Sequence, residues 1–357
     1  MNRFVTKILL ALLAMTFVCG QLRAQFTTTF AKNVTPGQQT GLCYSLPQTV
    51  LKLDFVIRET VYEKGPYSDY ADIYFNTADY IDYDEVTYEL LDVRMSPQAV
   101  ADPKATFFVS FTSGRGGAKP EFAILPNGII RGVGANLDLS ELPACVEQPT
   151  CASKKEENSG FITLNSAGRS NSQMAKEVVD KIEEIRKSKY YLISGDVEMA
   201  SNTETFKIMY EKLDEMEQAY ASLIIGKQTE KTIIKTVYVI PSKDKPTQTV
   251  AKFSETEGLT TDAKGSGNPI VVQTMPLNST STINAPSPSA IESMTYENKV
   301  IYRVPELADV KVTYQGKTLM EQRQTVNQLG VLMMAPVLGA SLLFDTETGQ
   351  IVNMKMQ

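Results

Sequence analysis

The predicted architecture depends on two stretches, SNSQMAKEVVDKIEEIRKSKY (residues 170–190) and TETFKIMYEKLDEMEQAYASL (residues 203–223). Each repeats apolar side chains at intervals of three or four residues, the spacing that places them on one face of an α-helix. The first helix is predicted from Ser172 to Tyr190 and the second from Thr203 to Leu223. Their apolar positions are Met174, Val178, Ile182 and Ile185 in the first, and Phe206, Met209, Tyr210, Leu213, Met216, Tyr220 and Leu223 in the second.

Both predicted helices begin with a typical start signal. Ser170–Gln173 and Ser201–Glu204 each place a serine three residues before an amide or a carboxylate, the capping box that satisfies free backbone donors. Two amphipathic helices in succession predict a helical hairpin. Its apolar faces must be buried, and the neighbouring strands are the candidates for covering them.

Strand-like sequence lies on both sides of the hairpin. Thr49–Tyr62 alternates apolar and polar residues and Thr229–Ile240 is strongly β-branched, both typical of β-strands. We therefore predict an α+β fold, mainly β, with two β-rich, sandwich-like parts and the hairpin between them. A short helix is predicted at Tyr67–Phe75 and a long exposed loop at Pro276–Ala290. Further strands are predicted at Val86–Met95, Ala105–Phe111, Glu121–Leu125, Ile129–Val133, Thr247–Ser254, Pro269–Met275, Ser293–Val304, Asp309–Tyr314, Thr318–Val326, Val331–Met334, Ser341–Phe344 and Gln350–Lys355.

The length of the chain favours more than one domain. Its 357 residues exceed what a single hydrophobic core usually serves. A charged run, Lys154–Asn158, marks a boundary near residue 160. The predicted segments are residues 25–160, β-rich with one short helix; residues 161–226, the hairpin; and residues 227–357, a second β-rich part.

Two weak similarities relate the β-rich parts to each other. Tyr44-x-Leu46-Pro47 opens the first long strand, and Tyr302-x-Val304-Pro305 opens a later one. Phe122–Val133 and Leu343–Met354 each run strand, turn, glycine, strand. These pairs favour an ancient duplication of β modules, a hypothesis that superposition of the two halves tests.

The amino terminus is predicted to be an export signal. Arg3 and Lys7 precede an apolar run, Ile8–Val18, and the segment ends in the small residue Ala24 that signal peptidases favour. Cleavage after Ala24 removes residues 1–24 and places the protein in the periplasm or at the outer-membrane periphery. The alternative is lipid attachment at Cys19. The run falls short of the ~20 apolar residues that a membrane span needs, and no later segment is apolar enough to span.

Composition excludes several classes of function. The chain has 41 acidic and 35 basic residues, a net charge of −6, which disfavours nucleic acid as a partner. Histidine is absent, which removes the usual general base and the commonest zinc ligand. Enzymes that use two carboxylates, such as glycoside hydrolases, remain open. No cofactor is indicated.

Cysteine spacing predicts one local disulfide. Cys145 and Cys151 flank a short proline-containing loop, and an oxidising compartment favours a bond between them. Cys43 is then unpaired, and we predict that it is a small buried side chain rather than a reactive thiol.

The segment from Glu59 to Asp92 has the most unusual composition, because tyrosines alternate there with acids. Tyrosine buries an apolar ring and keeps a polar end in water, so one hypothesis is a binding surface for a glycan or an envelope protein. The alternative is that these tyrosines pack a helix onto the sheet. The candidate binding residues are Tyr67, Tyr70, Tyr74, Tyr80 and Tyr83.

The same segment contains a weak calcium candidate. Asp79, Asp82, Asp84 and Glu85 offer the hard oxygen ligands that calcium prefers within a short span. The span lacks the glycine and the regular ligand spacing of an EF-hand. We therefore predict no metal site from this pattern, and solvated acids are the simpler interpretation.

Several short segments follow one another in an order that resembles a known family. They are Tyr44–Thr49, Lys64–Tyr74, Leu213–Glu217, Ile225–Lys227, Phe253–Ser254, Gly258–Leu259, Gly267–Ile270, Ile301–Pro305, Gln328–Gly330 and Phe344–Gly349. Together they resemble domain-of-unknown-function family 4831, exported proteins of about this length found mainly in Bacteroides-like Gram-negative bacteria. The resemblance implies an exported protein and brings no activity, cofactor or catalytic residue with it.

Taken together, these features predict an exported envelope protein that is a non-catalytic binding or assembly component. Its expected partner is an envelope protein or a glycan. The alternative is a carboxylate-dependent enzyme that processes glycans, for which a pocket holding two acids would be needed.

Overall fold

The computed structural model describes residues 26–35, 40–76, 79–111, 120–134, 137, 168–194 and 203–356. Within these ranges the fold is α+β and mainly β, which confirms the predicted class. The strands are β1 (Phe26–Phe30), β2 (Gly41–Glu63), β3 (Glu85–Phe111), β4 (Glu121–Ile124), β5 (Ile130–Gly134), β6 (Lys227–Val239), β7 (Thr247–Ser254), β8 (Gly258–Thr260), β9 (Asn268–Pro276), β10 (Tyr296–Glu297), β11 (Lys299–Tyr314), β12 (Lys317–Pro336), β13 (Ala340–Phe344) and β14 (Ile351–Met356). The α-helices are α1 (Ala71–Phe75), α2 (Asn171–Ser194), α3 (Thr203–Ile225) and α4 (Pro288–Ser293), with 3-10 turns at Ala31–Asn33 and Ser68–Tyr70.

The described strands form three antiparallel sheets. Sheet A has the order β10-β1-β3-β2-β6, sheet B the order β14-β13-β5-β4, and sheet C the order β12-β11-β9-β7-β8. Sheets A and B combine strands from both sides of the predicted hairpin segment. In sheet A, β6 pairs with β2 along its whole length, and in sheet B, β13 pairs with β5. The two β-rich segments of the sequence therefore share sheets.

Sheet A packs on both other sheets through two separate cores. The first core lies between sheets A and B and includes Tyr44, Phe107, Val133, Leu342 and Phe344, all fully buried. The second core lies between sheets A and C. It includes Leu53, Phe55, Phe253, Val272 and Val310. Burial of these side chains is the main favourable contribution to folding, because each of the two packed sheets removes apolar surface from water.

Strands β2 and β3 are long enough to reach both cores. They have 23 and 27 residues, and β3 replaces two shorter predicted strands. Along β2 the buried positions change from even, Tyr44 and Leu46, to odd, Leu51 and Leu53. The pairing shifts between Ser45 and Pro47, and such an irregularity changes the alternation while the same face stays toward the core.

Strand β11 has the same construction. It replaces the predicted strands Ser293–Val304 and Asp309–Tyr314, and its pairing with β12 shifts between Val304 and Glu306. At such a bulge the alternation of apolar and polar residues is interrupted, and an interrupted alternation predicts the end of a strand. Single strands were therefore predicted as two strands, divided at their bulges.

A buried ion pair joins the two bulges. Arg303 of β11 donates to Asp102 of β3 at 2.8 Å and to the carbonyl of Pro47 at 2.6 Å, and both charged side chains are almost inaccessible. Burial lowers the pKa of Arg303, and the Asp102 carboxylate acts against that change. The pair places a charge-assisted contact at the boundary between the two cores.

An amide bridge lies beside this ion pair. Gln328 of β12 accepts from the backbone N–H of Thr49 and donates to the Thr49 carbonyl, each at 2.9 Å, and it also donates to the carbonyl of Pro241. The Gln328 amide thereby makes with Thr49 the pair of backbone hydrogen bonds that a neighbouring strand would make with β2. Sheet C is connected in this way to sheet A by directional contacts as well as by the second core.

Helices α2 and α3 confirm the predicted hairpin, each with ends within four residues of the prediction. Ser170 and Gln173 form the predicted capping box, since each side chain bonds the backbone N–H of the other. The second predicted box lies outside the described residues. Gly226 ends α3 with φ +84°, and a Cβ there would lie 2.7 Å from the carbonyl oxygen of Glu63, so only glycine fits this turn.

The hairpin faces are covered differently from the prediction. Their apolar side chains pack against each other and, near the base, against the segment Tyr67–Tyr80, rather than against sheet strands. The prediction that strands cover both faces was therefore wrong, because two facing apolar stripes already satisfy each other. Within the described residues, no helix combines the length and apolarity that crossing a membrane requires.

Candidate functional site

The five candidate tyrosines do not form one surface. Tyr67 and Tyr80 pack at the base of the hairpin, against a cluster that contains Ala71 and Tyr220. Tyr70 and Tyr74 are half-buried, whereas Tyr83 is mostly exposed. The Glu85 carboxylate beside it raises the pKa of the Tyr83 phenol. For Tyr67 and Tyr80 the geometry supports the alternative interpretation, in which tyrosines attach a helix to the body of the protein.

The four acids proposed for calcium are not gathered into a ligand set. Asp84 accepts the backbone N–H of Lys64 at 2.7 Å, which fixes the entry to the short helix α1. In the part of the chain that the structure describes, no three Asp, Glu, Cys or His side chains are placed to hold a metal ion. Asp79 and Asp82 are exposed in the loop before β3, and Glu85 is the half-buried first residue of β3.

The prediction for Cys43 was wrong. The side chain is exposed, not buried, because Cys43 alternates with Tyr44, and it is Tyr44 that faces the first core. The sequence could not show which of two alternating faces is the inner one at the start of β2. Cys145 and Cys151 lie outside the described residues, so the predicted disulfide stays a prediction.

A cleft of about 530 Å³ lies beside the loop that follows β9. Its walls are mainly hydroxyl side chains, prolines and aliphatic residues, and Lys243 and Glu306 are the charged residues that line it. The loop corresponds to the predicted exposed segment Pro276–Ala290. It is held against β11 through Thr280, which is buried.

At the base of the cleft, both carboxylate oxygens of Glu306 accept hydrogen bonds. Its carboxylate accepts from the backbone N–H and hydroxyl of Ser279, at 2.6 and 2.5 Å, and from the hydroxyl and backbone N–H of Thr280, at 2.6 and 3.2 Å. Burial alone would raise the pKa, but these hydrogen bonds outweigh it and lower the pKa of Glu306 to about 2. A carboxylate held in this way anchors the loop and is a poor general acid at neutral pH.

The hairpin is built as a two-stranded antiparallel coiled coil. Buried positions of α2 recur with alternating spacings of three and four residues, and the less exposed positions of α3 do the same. The two rows are Ala175, Val178, Ile182, Ile185, Lys189 and Leu192 in α2, and Phe206, Tyr210, Leu213, Glu217, Tyr220 and Ile224 in α3. Heptad spacing of this kind was present in the sequence and would have identified the seam.

A polar cluster interrupts the seam. Lys189 donates to Asp214 and to Glu217, each at 2.7 Å, and Arg186 donates to Glu217 at 2.7 Å. Burial disfavours the charged ammonium, but the two carboxylates outweigh it and raise the pKa of Lys189, while Lys189 lowers the pKa of Glu217. A polar residue in a coiled-coil seam fixes the register of the helices, since any other register leaves it without partners.

The far end of the hairpin exposes large apolar side chains. We call this set the hairpin tip: Tyr190, Tyr191, Ile193, Ile208 and Met209, which are between 41% and 67% exposed. From the sequence, Met209 and Met216 were predicted to lie on the buried face of the second helix. Both are about 40% exposed, because the seam passes through Phe206, Tyr210 and Leu213 and leaves the two methionines on its flank.

Between the tip and the base of the hairpin, the outward-facing positions are mostly polar. Midway along the hairpin they are occupied mainly by Glu183, Glu184, Lys187, Glu211, Lys212, Glu215 and Gln218. The apolar surface of the hairpin is therefore concentrated at the end that lies farthest from its base. Exposure of several large apolar side chains together is typical of an interaction surface.

Comparison with known proteins identifies a family and no function. The family model described as "Domain of unknown function (DUF4831)" matches residues 40–352. Neither the curated proteins nor the solved structures contain a match to the chain. The matched range covers most of the 357 residues, which confirms the resemblance read from the ordered short segments. The chain therefore belongs to the DUF4831 family.

Proposed function

We propose that this protein is an exported component of the cell envelope that acts by binding, without catalysis, and that the hairpin tip is its binding element. The observation that carries the proposal is that five exposed apolar side chains lie together at the end of a two-helix arm. Apolar surface in water is unfavourable, so a concentration of it on a stable element indicates a surface that is covered in use.

The hairpin is suited to present such a surface. Its seam is apolar near the base, and the cluster around Lys189 fixes the register directly beside the tip. Helix α2 has 24 residues and is about 36 Å long at 1.5 Å per residue. The tip is therefore held at a defined position well away from the sheets.

The cleft supports the glycan-processing alternative poorly. Hydrolysis of a glycosidic bond requires two carboxylates on opposite sides of the bond, one of them able to donate a proton. Glu306 is the acid among the residues that line the cleft, and its hydrogen bonds are used to hold the adjoining loop. We therefore place function at the hairpin and assign the cleft an architectural role.

Export is supported by the amino-terminal sequence. Positive residues, an apolar run and Ala24 follow one another in the order of a signal peptide. Fractionation of producing cells, with sequencing of the amino terminus, tests this part. The expected mature protein is found in the envelope fraction and begins at Gln25, whereas a cytoplasmic protein that begins at Met1 contradicts it.

Binding is tested by recovery of the protein from envelope fractions after chemical cross-linking. Three versions are compared: the natural chain, a tip variant with Ile193→Ser and Ile208→Ser, and a control with Ile234→Ser. Ile234 is 61% exposed on the outer face of sheet A and matches the tip residues in chemistry. We expect cross-linked material with the natural chain and the control, and its loss with the tip variant. Equal recovery from all three versions contradicts the proposal.

A further inference from the structure

We propose that the cleft beside the loop that follows β9 binds the carboxyl-terminal end of an extended peptide whose last side chain is aliphatic. This inference goes beyond the proposed function, which lies at the hairpin, and adds a ligand site to the architectural role of the cleft. The volume of about 530 Å³ lies within the range of about 300–1,000 Å³ that is typical of small-ligand sites. Three features of the lining select the ligand: a cation, an aliphatic wall beside it, and polar side chains without a protein partner.

The cation is Lys243, in the turn between β6 and β7. Its side chain is exposed and lines the cleft, and its ammonium donates to the carbonyl of Gly330 at 3.4 Å. No carboxylate among the described residues lies within ion-pair distance of this ammonium. An ammonium carries several N–H donors, so it can bond a ligand oxygen as well. The lining therefore favours a ligand that presents a carboxylate to Lys243.

Glu306, the other charged residue of the lining, does not compete with that carboxylate for donors. Its Oε1 accepts from the backbone N–H and hydroxyl of Ser279 and from the backbone N–H of Leu307, and its Oε2 accepts from the backbone N–H and hydroxyl of Thr280. A carboxylate has about four lone-pair sites, and these donors use them. They also spread its negative charge. The groups that remain for a ligand are therefore mainly hydrogen-bond donors.

The wall beside the ammonium is aliphatic. Leu329 and Val331 are alternate residues of β12 on either side of Gly330, so both face the cleft next to Lys243. Ile283 and four prolines extend this wall: Pro246, Pro276, Pro286 and Pro288. Among the described residues that line the cleft, none is aromatic. A sugar ring packs its C–H face on an aromatic ring, whereas these walls match an aliphatic side chain. A carboxylate next to an aliphatic side chain is the chemistry of a peptide's last residue.

The polar side chains of the lining match a peptide backbone. Thr274 of β9 lines the cleft and is 4% exposed, and its hydroxyl makes no hydrogen bond to another described residue. Buried hydroxyls ordinarily have a partner, so this one is left for a ligand. The side chains of Asn278 and Ser281 line the same cleft and likewise make no hydrogen bond to a described residue. Hydroxyl and amide groups both donate and accept, as the alternating N–H and C=O groups of a peptide require.

Ligand-observed NMR titration of the mature full chain tests the proposal, with the tripeptide N-acetyl-Ala-Ala-Leu as the probe. Its carboxamide removes the negative charge and keeps the shape. Hexanoate keeps a carboxylate and an aliphatic chain but has no peptide bonds. We expect the tripeptide to bind, and the carboxamide to bind at least about tenfold more weakly, because a charge-assisted hydrogen bond is lost. Hexanoate should also bind more weakly, because it offers no partner to Thr274.

Three variants locate the site. Lys243→Gln should weaken tripeptide binding at least about tenfold and remove the difference between the acid and the carboxamide. Lys245→Gln is the matched control, because Lys245 is exposed in the same turn and does not line the cleft, and it should bind as the natural chain does. Thr274→Val removes the hydroxyl and keeps the branched shape of the side chain. It should weaken binding about threefold or more without lowering stability in urea.

Four results overturn the assignment. They are an absence of tripeptide binding by the natural chain, unchanged binding by the Lys243→Gln variant, equal binding of the carboxamide, and equal binding of hexanoate. The last of these would assign the cleft to simple aliphatic acids. The cross-linking that tests the hairpin tip is a separate measurement on other residues, so failure of the peptide site leaves the proposed binding function as it stands.

Discussion

At the scale of single residues, a few buried polar groups join strands that are far apart in sequence, and local sequence patterns do not reveal them. Arg303 and Asp102 are 201 positions apart in sequence and meet because two bulges face each other. The sequence showed neither partner as unusual, since isolated charges within strand-like segments are ordinarily solvated. Tyr44 was recognisable as a strand residue, but its hydrogen bonds with the backbone of Ile301 depend on sheet packing.

The buried ion pair gives the first prediction. Asp102→Ala leaves the Arg303 guanidinium buried without its partner and should lower the free energy of unfolding by about 3–5 kcal/mol. Asp309→Ala is the matched control, because Asp309 pairs with Arg323 at the surface, and it should cost less than about 1 kcal/mol. Urea unfolding of both variants measures the difference. Equal losses in the two variants contradict a special role for the buried pair.

Glu306 gives a prediction about pH. Its pKa is about 2 in the folded protein and 4.5 as an ordinary glutamate, so the ionised form stabilises the fold at neutral pH. That contribution, about 3 kcal/mol, is lost as the pH falls from about 5 toward 2. Glu306→Gln should therefore be less stable than the natural chain at pH 7 and nearly equal to it near pH 2. A stability difference that stays constant with pH contradicts this account.

At the scale of elements, helices were predicted better than strands. The hairpin helices carry their own signals, a 3.6-residue period and the capping box at Ser170, and these do not depend on distant residues. Strands β3, β11 and β12 were each divided in two, because a bulge interrupts the alternation that identifies a strand. The hairpin tip was missed because the apolar residues were assigned to one broad face of each helix, whereas the narrower heptad spacing of the seam leaves Met209 and Met216 on its flank.

The polar cluster in the hairpin seam gives the third prediction. Lys189→Ala leaves Asp214 and Glu217 without their shared cation and should lower stability by about 1–3 kcal/mol. Lys181→Ala removes an exposed pair with Glu184 on the same helix and should cost no more than about 0.5 kcal/mol. Helical circular dichroism during urea unfolding reports on both variants. A larger loss at Lys181 would contradict the assignment of register to Lys189.

At the scale of the whole molecule, the two β-rich segments are interwoven. Each contributes a long bulged hairpin, β2–β3 or β11–β12, followed in sequence by a short one, β4–β5 or β13–β14. The short hairpins pair with each other in sheet B. The repeated Tyr-x-Leu/Val-Pro sequence lies at the bulge of each long hairpin, which supports the duplication hypothesis. Sheet order could not be predicted from sequence, because long-range pairing leaves no local pattern.

The segments that carry the family resemblance also have a structural explanation. Tyr44–Thr49, Ile301–Pro305, Gln328–Gly330 and Phe344–Gly349 meet around Arg303 and the amide bridge of Gln328. Gly65 and Tyr67 of Lys64–Tyr74 contact Leu223 near the end of α3, and Gly226 of Ile225–Lys227 packs against Glu63 and Ile81, so both segments lie at the base of the hairpin. These segments thus fix the junction of the cores and the attachment of the hairpin. The tip lies outside them.

Shared sheets give the fourth prediction. A fragment that ends at residue 160 lacks β6 and β10 of sheet A and the partner strand β13 of sheet B. Its exposed strand edges and half-covered cores should prevent it from folding alone. We expect no cooperative unfolding transition in urea for the isolated fragment, in contrast to the full mature chain. A cooperative transition in the fragment contradicts an interwoven fold and supports two independent domains.

The central claim is that the protein works by contact through its hairpin tip. Photo-cross-linking in living producing cells tests it most directly, with a photoreactive amino acid at Tyr191 and, as the control, at Tyr238. Both side chains are more than half exposed, so exposure alone does not distinguish them. The account predicts a covalent adduct, to lipid or to protein, from position 191 and none from position 238. Equal adducts at both positions, or none at position 191, would contradict it.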